Sequence, residues 1–350
     1  MNGVQRTHPG IWALAITAFA IGVAEFIVVG VLPAIAEDLA VPLAQAGGLV
    51  GFYALALAVG TPLTVLALAR LPRKPLLLVL VAIFLAGNLL SALAGSYEVL
   101  LAGRMVTAVA HGSFFAIGAT VAARLAPDGQ ASRAIAVMFA GLTLAMVLGV
   151  PLGSLIGNAL GWRLPLFAVV GLAGLALIAI ALWIPTLPAQ ATGPAKRQIA
   201  ALASPAILAM MSVTVLGFGA SFASFTFITP ILTEITGFSS QMASGLLVVF
   251  GVATLVGNLM GGRWAARLGW PTALRLLLFG LLLVLLAMAL ALPWKSVMVP
   301  LLFVWGGLAF GLSPGLPGRH AGNGATLDVA RPRFRLGVEH RGVQSRHHPG

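Results

Sequence analysis

A carboxylic acid, a guanidinium and an imidazole stand inside long apolar runs of this chain, where ionisable side chains are rare and usually functional. Glu25 lies between Ala24 and Phe26, with no basic residue nearby in the same run. A carboxyl placed there must be protonated, paired or open to an internal watery cavity. Glu25 is therefore a candidate for reversible protonation or ligand binding; the plainer reading is a structural acid held by hydrogen bonds. Arg104 and His111 are seven residues apart in a later run, close to two helical turns and hence on nearly the same face. Gly103 and Gly112 beside them let another helix approach closely. Arg104 can hold an anionic partner or organise Glu25, and His111 can relay a proton. Against these stand snorkelling of Arg104 to an interface and an ordinary satisfied packing histidine.

Three further groups carry less specific signals. Gly149, Pro151 and Gly153, with Gly141 and Gly157 around them, give one run a small, interrupted face; tight helix packing and a local backbone adjustment are expected there, and movement of that helix is a second possibility. Gly60 leads into a turn carrying Arg70, Arg73 and Lys74, and Gly257 leads into Arg267. Such basic turns can lock one conformation by pairing with carboxylates or helix carboxyl ends, although simple anchoring at a membrane surface accounts for them too. Asn88, Phe114, Phe115, Phe218, Phe222 and Phe225 are candidates to line a cavity, but aromatic residues in such runs more often belong to the core.

The elements that must position these residues are membrane spans. The chain has 350 residues, of which 60% are hydrophobic and 8% charged, against about 25% charged in an average soluble domain. It has no cysteine, and its six histidines show no metal-ligand spacing, so neither a disulfide framework, a metal site nor a cofactor is expected. The net charge of +12 does not point to nucleic acid, because the basic residues sit in short links between apolar runs.

Ten candidate spans run from about 11 to 32, 46 to 68, 76 to 94, 99 to 121, 134 to 157, 164 to 184, 206 to 231, 242 to 260, 273 to 291 and 296 to 313. Basic residues cluster in alternate links: Arg70, Arg73 and Lys74; Arg124 and Arg133; Lys196 and Arg197; Arg263 and Arg267. By the positive-inside rule these links face the cytoplasm, and so does the amino terminus.

A repeat divides the chain. Pro33, Glu37, Gly60, Ala69 and Arg70 recur 197 residues later as Pro230, Glu234, Gly257, Ala266 and Arg267. The expected organisation is a six-helix bundle over 1–185, a cytoplasmic linker over 186–205, an incomplete second bundle of about four helices over 206–316, and a basic tail over 317–350. The repeat places two more spans at about 331 to 381, where the chain instead carries Arg331, Arg333, Arg335, Arg341 and Arg346. A changed reading frame near Leu316 is the preferred account of that tail, with an ordinary cytoplasmic tail as the alternative.

Gly22-Val23-Ala24-Glu25-Phe26, the Leu32-Pro33 turn, Arg104 with His111-Gly112, and Gly149-Val150-Pro151-Leu152-Gly153 together resemble the bacterial twelve-span, proton-coupled drug and sugar efflux branch of the major facilitator superfamily. The resemblance covers about residues 11 to 316. It implies an all-α membrane protein with two parallel six-helix bundles in the parent architecture and about ten spans here, working as a monomer in the bacterial inner membrane. The implied activity is secondary efflux of a small organic substrate by proton antiport with alternating access, without enzyme chemistry; Glu25, Arg104 and His111 would form the coupling or binding site. Ala69 and Ala266 occupy the positions where the superfamily usually has an acid, which leaves Arg70 and Arg267 as contributors to gating without the usual charge lock. A passive channel, or a fragment without activity of its own, is the alternative. The partners expected are protons, the substrate and membrane lipids, and not nucleic acid.

Overall fold

A computed structural model of the protein describes residues 7–68, 70–188 and 204–312. Most of the 186–205 linker, Ala69 and the basic tail of 317–350 lie outside the described residues. All regular structure among the described residues is helical. In chain order the helices are α1 Pro9–Gly30, α2 Leu32–Asp38, α3 Leu43–Ala67, α4 Arg73–Ala92, α5 Tyr97–Leu125, α6 Ala131–Leu144, α7 Val150–Leu160, α8 Arg163–Trp183, α9 Pro205–Thr226, α10 Ile228–Pro230, α11 Ser240–Leu268, α12 Trp270–Ala291 and α13 Lys295–Gly311.

Local chemistry sets where these helices begin and end. Ser96 and Ser239 cap α5 and α11 by accepting from the N–H groups of Val99 and Met242, which satisfies donors that the first turn cannot use internally. Gly161 and Gly269 adopt φ of +99° and +78° between α7 and α8 and between α11 and α12, a backbone region that side chains with a Cβ rarely enter. Prolines break the longer runs. Pro151 lacks an N–H and its ring crowds the carbonyl one turn back. The run Ala131–Leu160 accordingly passes through a π-helical turn, Ala145–Gly149, just ahead of it. The repeat-related prolines Pro33 and Pro230 act alike: α1 stops at Gly30, and α9 bends by 52° into the piece Ile228–Ile235.

Eight helices among the described residues are long and apolar enough to cross a membrane, and the bent pair makes a ninth. This departs from the ten spans expected from sequence. The difference lies at α13: the tenth expected span, 296 to 313, is present as this apolar helix of 17 residues, at the lower end of the lengths that cross a bilayer. Large side chains such as Leu160, Leu182, Leu216 and Leu290 stay exposed on the outside of the helices, as a lipid-facing surface requires.

Packing gathers the buried side chains into two apolar cores. One is built from α1 to α6 and α8. The other is built from α9 to α13 and also takes in Phe26 and Val29 of α1 with Met146 and Val150 around the π turn. The α1–α6 and α11–α13 pairs touch backbone to backbone: a Cβ at Gly141 would collide with the carbonyl of Ala15, and one at Gly257 with that of Gly307. Small residues allow this approach where lipid supplies no hydrophobic drive for helix association.

At the rim, Asp38 draws three links together. Its Oδ2 accepts from Arg163 at 2.7 Å and from the Trp162 indole at 3.2 Å, while a second Arg163 nitrogen donates to the carbonyl of Ala94 at 2.9 Å. The Arg163 hydrogen bond, followed by that of Trp162, holds the Asp38 carboxyl below its ordinary range. Its stabilising effect is therefore complete above the unfolded carboxylate pKa, near 3.9, and is lost as pH falls through the lowered folded value. Asp38→Asn is expected to reduce stability by about 1 kcal/mol or less at neutral pH, with the difference from wild type closing only below about pH 4; thermal unfolding in detergent between pH 3 and 8 measures it.

Candidate functional site

Glu25 sits on α1, Tyr53 on α3, and Arg104 and His111 on α5. The structure brings these four together. Arg104 is 1% exposed, and a guanidinium so buried must find acceptors. It finds them on the main chain of α1, donating to the carbonyls of Ala24 at 2.5 Å and Glu25 at 3.2 Å. Its flat face lies over the Tyr53 ring, 4.0 Å from the centroid, a cation–π contact. Its Nε has no hydrogen-bond partner among the described residues. The sequence reading allowed Arg104 either an interface or the cavity; it lies in the interior and fastens α5 to α1.

Because Arg104 holds the Glu25 carbonyl, the Glu25 side chain remains available. Glu25 Oε2 lies 4.0 Å from His111 Nε2, too far for a hydrogen bond and close enough for charge interaction. The other ring nitrogen, Nδ1, is 2.8 Å from the hydroxyl of Tyr53. When that phenol donates to Nδ1, the neutral imidazole carries its proton on Nε2, facing Glu25. Tyr53 went unnoticed in the sequence. The available signal was that a phenol in an apolar span needs a hydrogen-bond partner, and the chain has only two tyrosines.

Glu25, Tyr53 and Arg104 border a cavity of about 170 Å3, together with Phe26 and Val29 from α1, Val50, Ala54 and Leu57 from α3 and Phe222 from α9; His111 stands behind this wall. It has room for about five waters. Glu25 is the only acid in its wall among the described residues.

The remaining sequence candidates divide by position. Phe222 lines the cavity and stacks on Phe26 at 5.9 Å, with Phe225 edge-on to both at 6.1 Å. Phe225 turns away into the second core, stacking on Phe250 at 4.7 Å, and Phe218 packs against Phe222 and Phe310. Phe114 is buried in the first core, and Phe115 lies between His111 and Phe139. Asn88 is not in the cavity wall: its amide donates to the Phe84 carbonyl one turn back in its own helix. Asn88, Phe114, Phe115, Phe218 and Phe225 are not among the residues that border this cavity.

The basic turn after α3 grips its own neighbourhood. Lys74 donates to the carbonyl of Ala181 at 2.7 Å, in the last turn of α8, and the Arg73 N–H bonds to the carbonyl of Leu187 at 3.1 Å. Arg70 and Arg267 are exposed, and neither is ion-paired among the described residues. Gly60 meets Val109, and Gly149 and Gly153 meet Val23 and Ile27 of α1. Pro151 is buried beside them.

Lipid-length helices around a small internal cavity, with ionisable residues at its wall, define a membrane carrier. Residues 14–322 match the Major Facilitator Superfamily, and the chain belongs to that family. It is 37% identical over 319 residues to the uncharacterized MFS-type transporter YtbD of Bacillus subtilis (strain 168), covering 90% of this chain and 80% of that protein. It is 38% identical over 308 residues to the inner membrane transport protein YdhP of Escherichia coli (strain K12), covering 87% and 78%. It is also 38% identical over 321 residues to a chloramphenicol resistance protein of Streptomyces lividans, covering 86% and 78%. The fold is similar to that of a bacterial homolog of the human lysosomal transporter Spinster, solved inward-facing and occupied, with a TM-score of 0.68 and 18% identity over 87% of this chain and 72% of that one. It is similar as well to the D-xylose–proton symporter, with a TM-score of 0.63 and 16% identity over 87% and 80%. Family membership makes the protein a secondary transporter and not an enzyme.

Tyr53→Phe keeps the ring beneath Arg104 and removes the hydroxyl from His111. It is expected to cost about 1 kcal/mol of stability and to convert the His111 ring from one tautomer to a mixture. Nitrogen-15 NMR of histidine-labelled protein, with His111→Gln to assign the signal, checks this.

Proposed function

We propose that the protein exports a small organic molecule from the bacterial cytoplasm across the inner membrane, as a monomer, in exchange for protons. The observation that carries this reading is that Glu25 is the single acid in the cavity wall among the described residues, while the adjacent Arg104 is committed to main-chain carbonyls. Arg104 therefore does not tie down the carboxylate, which can take up or release a proton as substrate leaves or arrives. His111 and Tyr53 supply a polar route to it, and the cavity is large enough to hold water beside it. The rest of the wall is apolar or aromatic, contributed by Phe26, Val29, Val50, Leu57 and Phe222, which suits an organic substrate with little charge of its own. A relative named as a chloramphenicol resistance protein supports export as the direction.

On this reading 1–185 and 206–316 belong to two bundles of six-helix parentage, joined by the 186–205 link, that rock about the cavity. The basic links place the amino terminus and the Arg70–Lys74 turn in the cytoplasm. Gly60, Arg70, Arg73, Lys74, Gly149, Pro151, Gly153 and Arg267 then lie where the bundles must move. Pro151 and its glycines do so by shaping the π turn against α1, and Arg73 and Lys74 by anchoring the end of α8.

Inverted membrane vesicles given a pH gradient and chloramphenicol test the coupling. Flux is expected in the wild type and a loss of tenfold or more in Glu25→Gln at equal protein abundance. Undiminished gradient-driven flux in that variant would remove Glu25 as the coupling acid. Saturable uptake with counterflow is expected of a carrier; rapid conductance without counterflow would identify a channel instead.

A further inference from the structure

The polar contacts that join the two cores cluster at one end of the molecule, where α1 stops. In an unbroken helix the carbonyl of Val29 would accept from the N–H of residue 33, but residue 33 is proline and has none. Thr229, from α10, fills the gap: its Oγ1 donates to the Val29 carbonyl at 2.9 Å. The next carbonyl, that of Gly30, is met by Ser154 Oγ of α7 at 2.9 Å and by the Asn158 amide at 3.2 Å. Ser154 Oγ also lies 2.9 Å from Ser244 Oγ of α11, and Asn158 is 3.4 Å from the same Ser244 atom. Thr229, Ser154 and Ser244 are all less than 5% exposed.

Counting protons gives the contacts a direction. A carbonyl can only accept, so the single proton of Ser154 goes to Gly30. Ser244 must then donate to Ser154, and the Ser244 oxygen is left to accept from Asn158. The result is a directed chain from α7 through α11 back to α7 and on to the end of α1. With Thr229 beside it, this chain holds helices of the second core on two carbonyls at the break in the first helix. Gly30 permits the approach, since a Cβ there would collide with Ser154 and close on Leu247.

We infer that Thr229 and the Ser154–Ser244–Asn158 chain form a releasable latch that keeps the carrier shut at the end of α1, and that opening of this end exchanges the latch bonds for water on the Val29 and Gly30 carbonyls. The inference rests on alternating access in the proposed function, in which this end faces away from the cytoplasm. It adds four residues outside the binding cavity that set how often that end opens. Hydroxyl-to-carbonyl bonds suit such a part, because each is worth little net once water can replace it.

The chain has no cysteine, so introduced thiols report without background. Leu247→Cys, 2% exposed beside the latch, serves as reporter, with its rate of modification by a membrane-impermeant maleimide as readout. Adding Thr229→Val, which keeps the shape and removes the hydroxyl, is expected to raise that rate about fivefold to tenfold; adding Thr229→Ser, which keeps the hydroxyl, is expected to restore it. Equal rates in all three proteins would overturn the latch. A rise that Thr229→Ser fails to reverse would also overturn it, by assigning the effect to packing. In a separate protein, Ser154→Cys with Ser244→Cys is expected to oxidise to a cross-link found by mass spectrometry and to stop flux until reduced; a cross-linked protein that still transports would overturn the latch as well. The labelling experiment needs no substrate and no proton gradient, so its failure is distinct from failure of the coupling role of Glu25.

Discussion

A guanidinium buried among apolar helices has to be satisfied by whatever acceptors the fold can bring to it, and much of this structure follows from where Arg104 finds them. The carbonyls of Ala24 and Glu25 take its protons and the Tyr53 ring takes its face. Three helices are tied by one side chain. The same choice leaves the Glu25 carboxylate beside the cavity, near His111, without a guanidinium bonded to it. Had Arg104 turned to the carboxylate instead, the pair would have been neutral and the acid far less able to change its protonation state.

Satisfying the backbone imposes the second constraint. In lipid, a carbonyl released by proline must be met by protein or by water in a cavity. Pro33 releases the carbonyl of Val29, and the partner comes from a residue 200 positions away. Pro151 is accommodated inside its own run by a π turn, and that turn contributes Met146 to the second core. Pro230 lies in the piece that follows the 52° bend after α9, from which Thr229 reaches α1. A breaker that would only weaken a soluble helix thus becomes, in this solvent, a point where distant helices are joined.

The fold was largely legible in the sequence because lipid as solvent makes run length a strong signal. The first seven expected spans correspond to helices within a few residues, with the seventh bent near its proline; the eighth, expected to end at 260, runs on to Leu268, and the ninth matches α12. The tenth, expected at 296 to 313, is present as the apolar helix α13 at Lys295–Gly311, shorter than the other spans. Of the site, Glu25, Arg104 and His111 stood out because charge inside an apolar run is costly and therefore conspicuous. Most of the aromatic candidates and Asn88 did not line the cavity, because an aromatic or amide in a span looks the same whether it faces a ligand or a neighbouring helix.

By itself the sequence determined the solvent, the helices, their breaks and the positions at which ionisable groups must be accommodated, since these depend on local composition and on the chemistry of single residues. Tertiary structure alone decided which groups meet. Tyr53 reaches His111 across 58 residues, Ser154 reaches Ser244 across 90, and Arg104 bonds the Ala24 main chain across 80 rather than the Glu25 carboxylate. Hydroxyls and phenols are common in helices and carry no local mark of their partner. Their roles arise only when packing removes water and leaves each polar atom the neighbours that the fold provides.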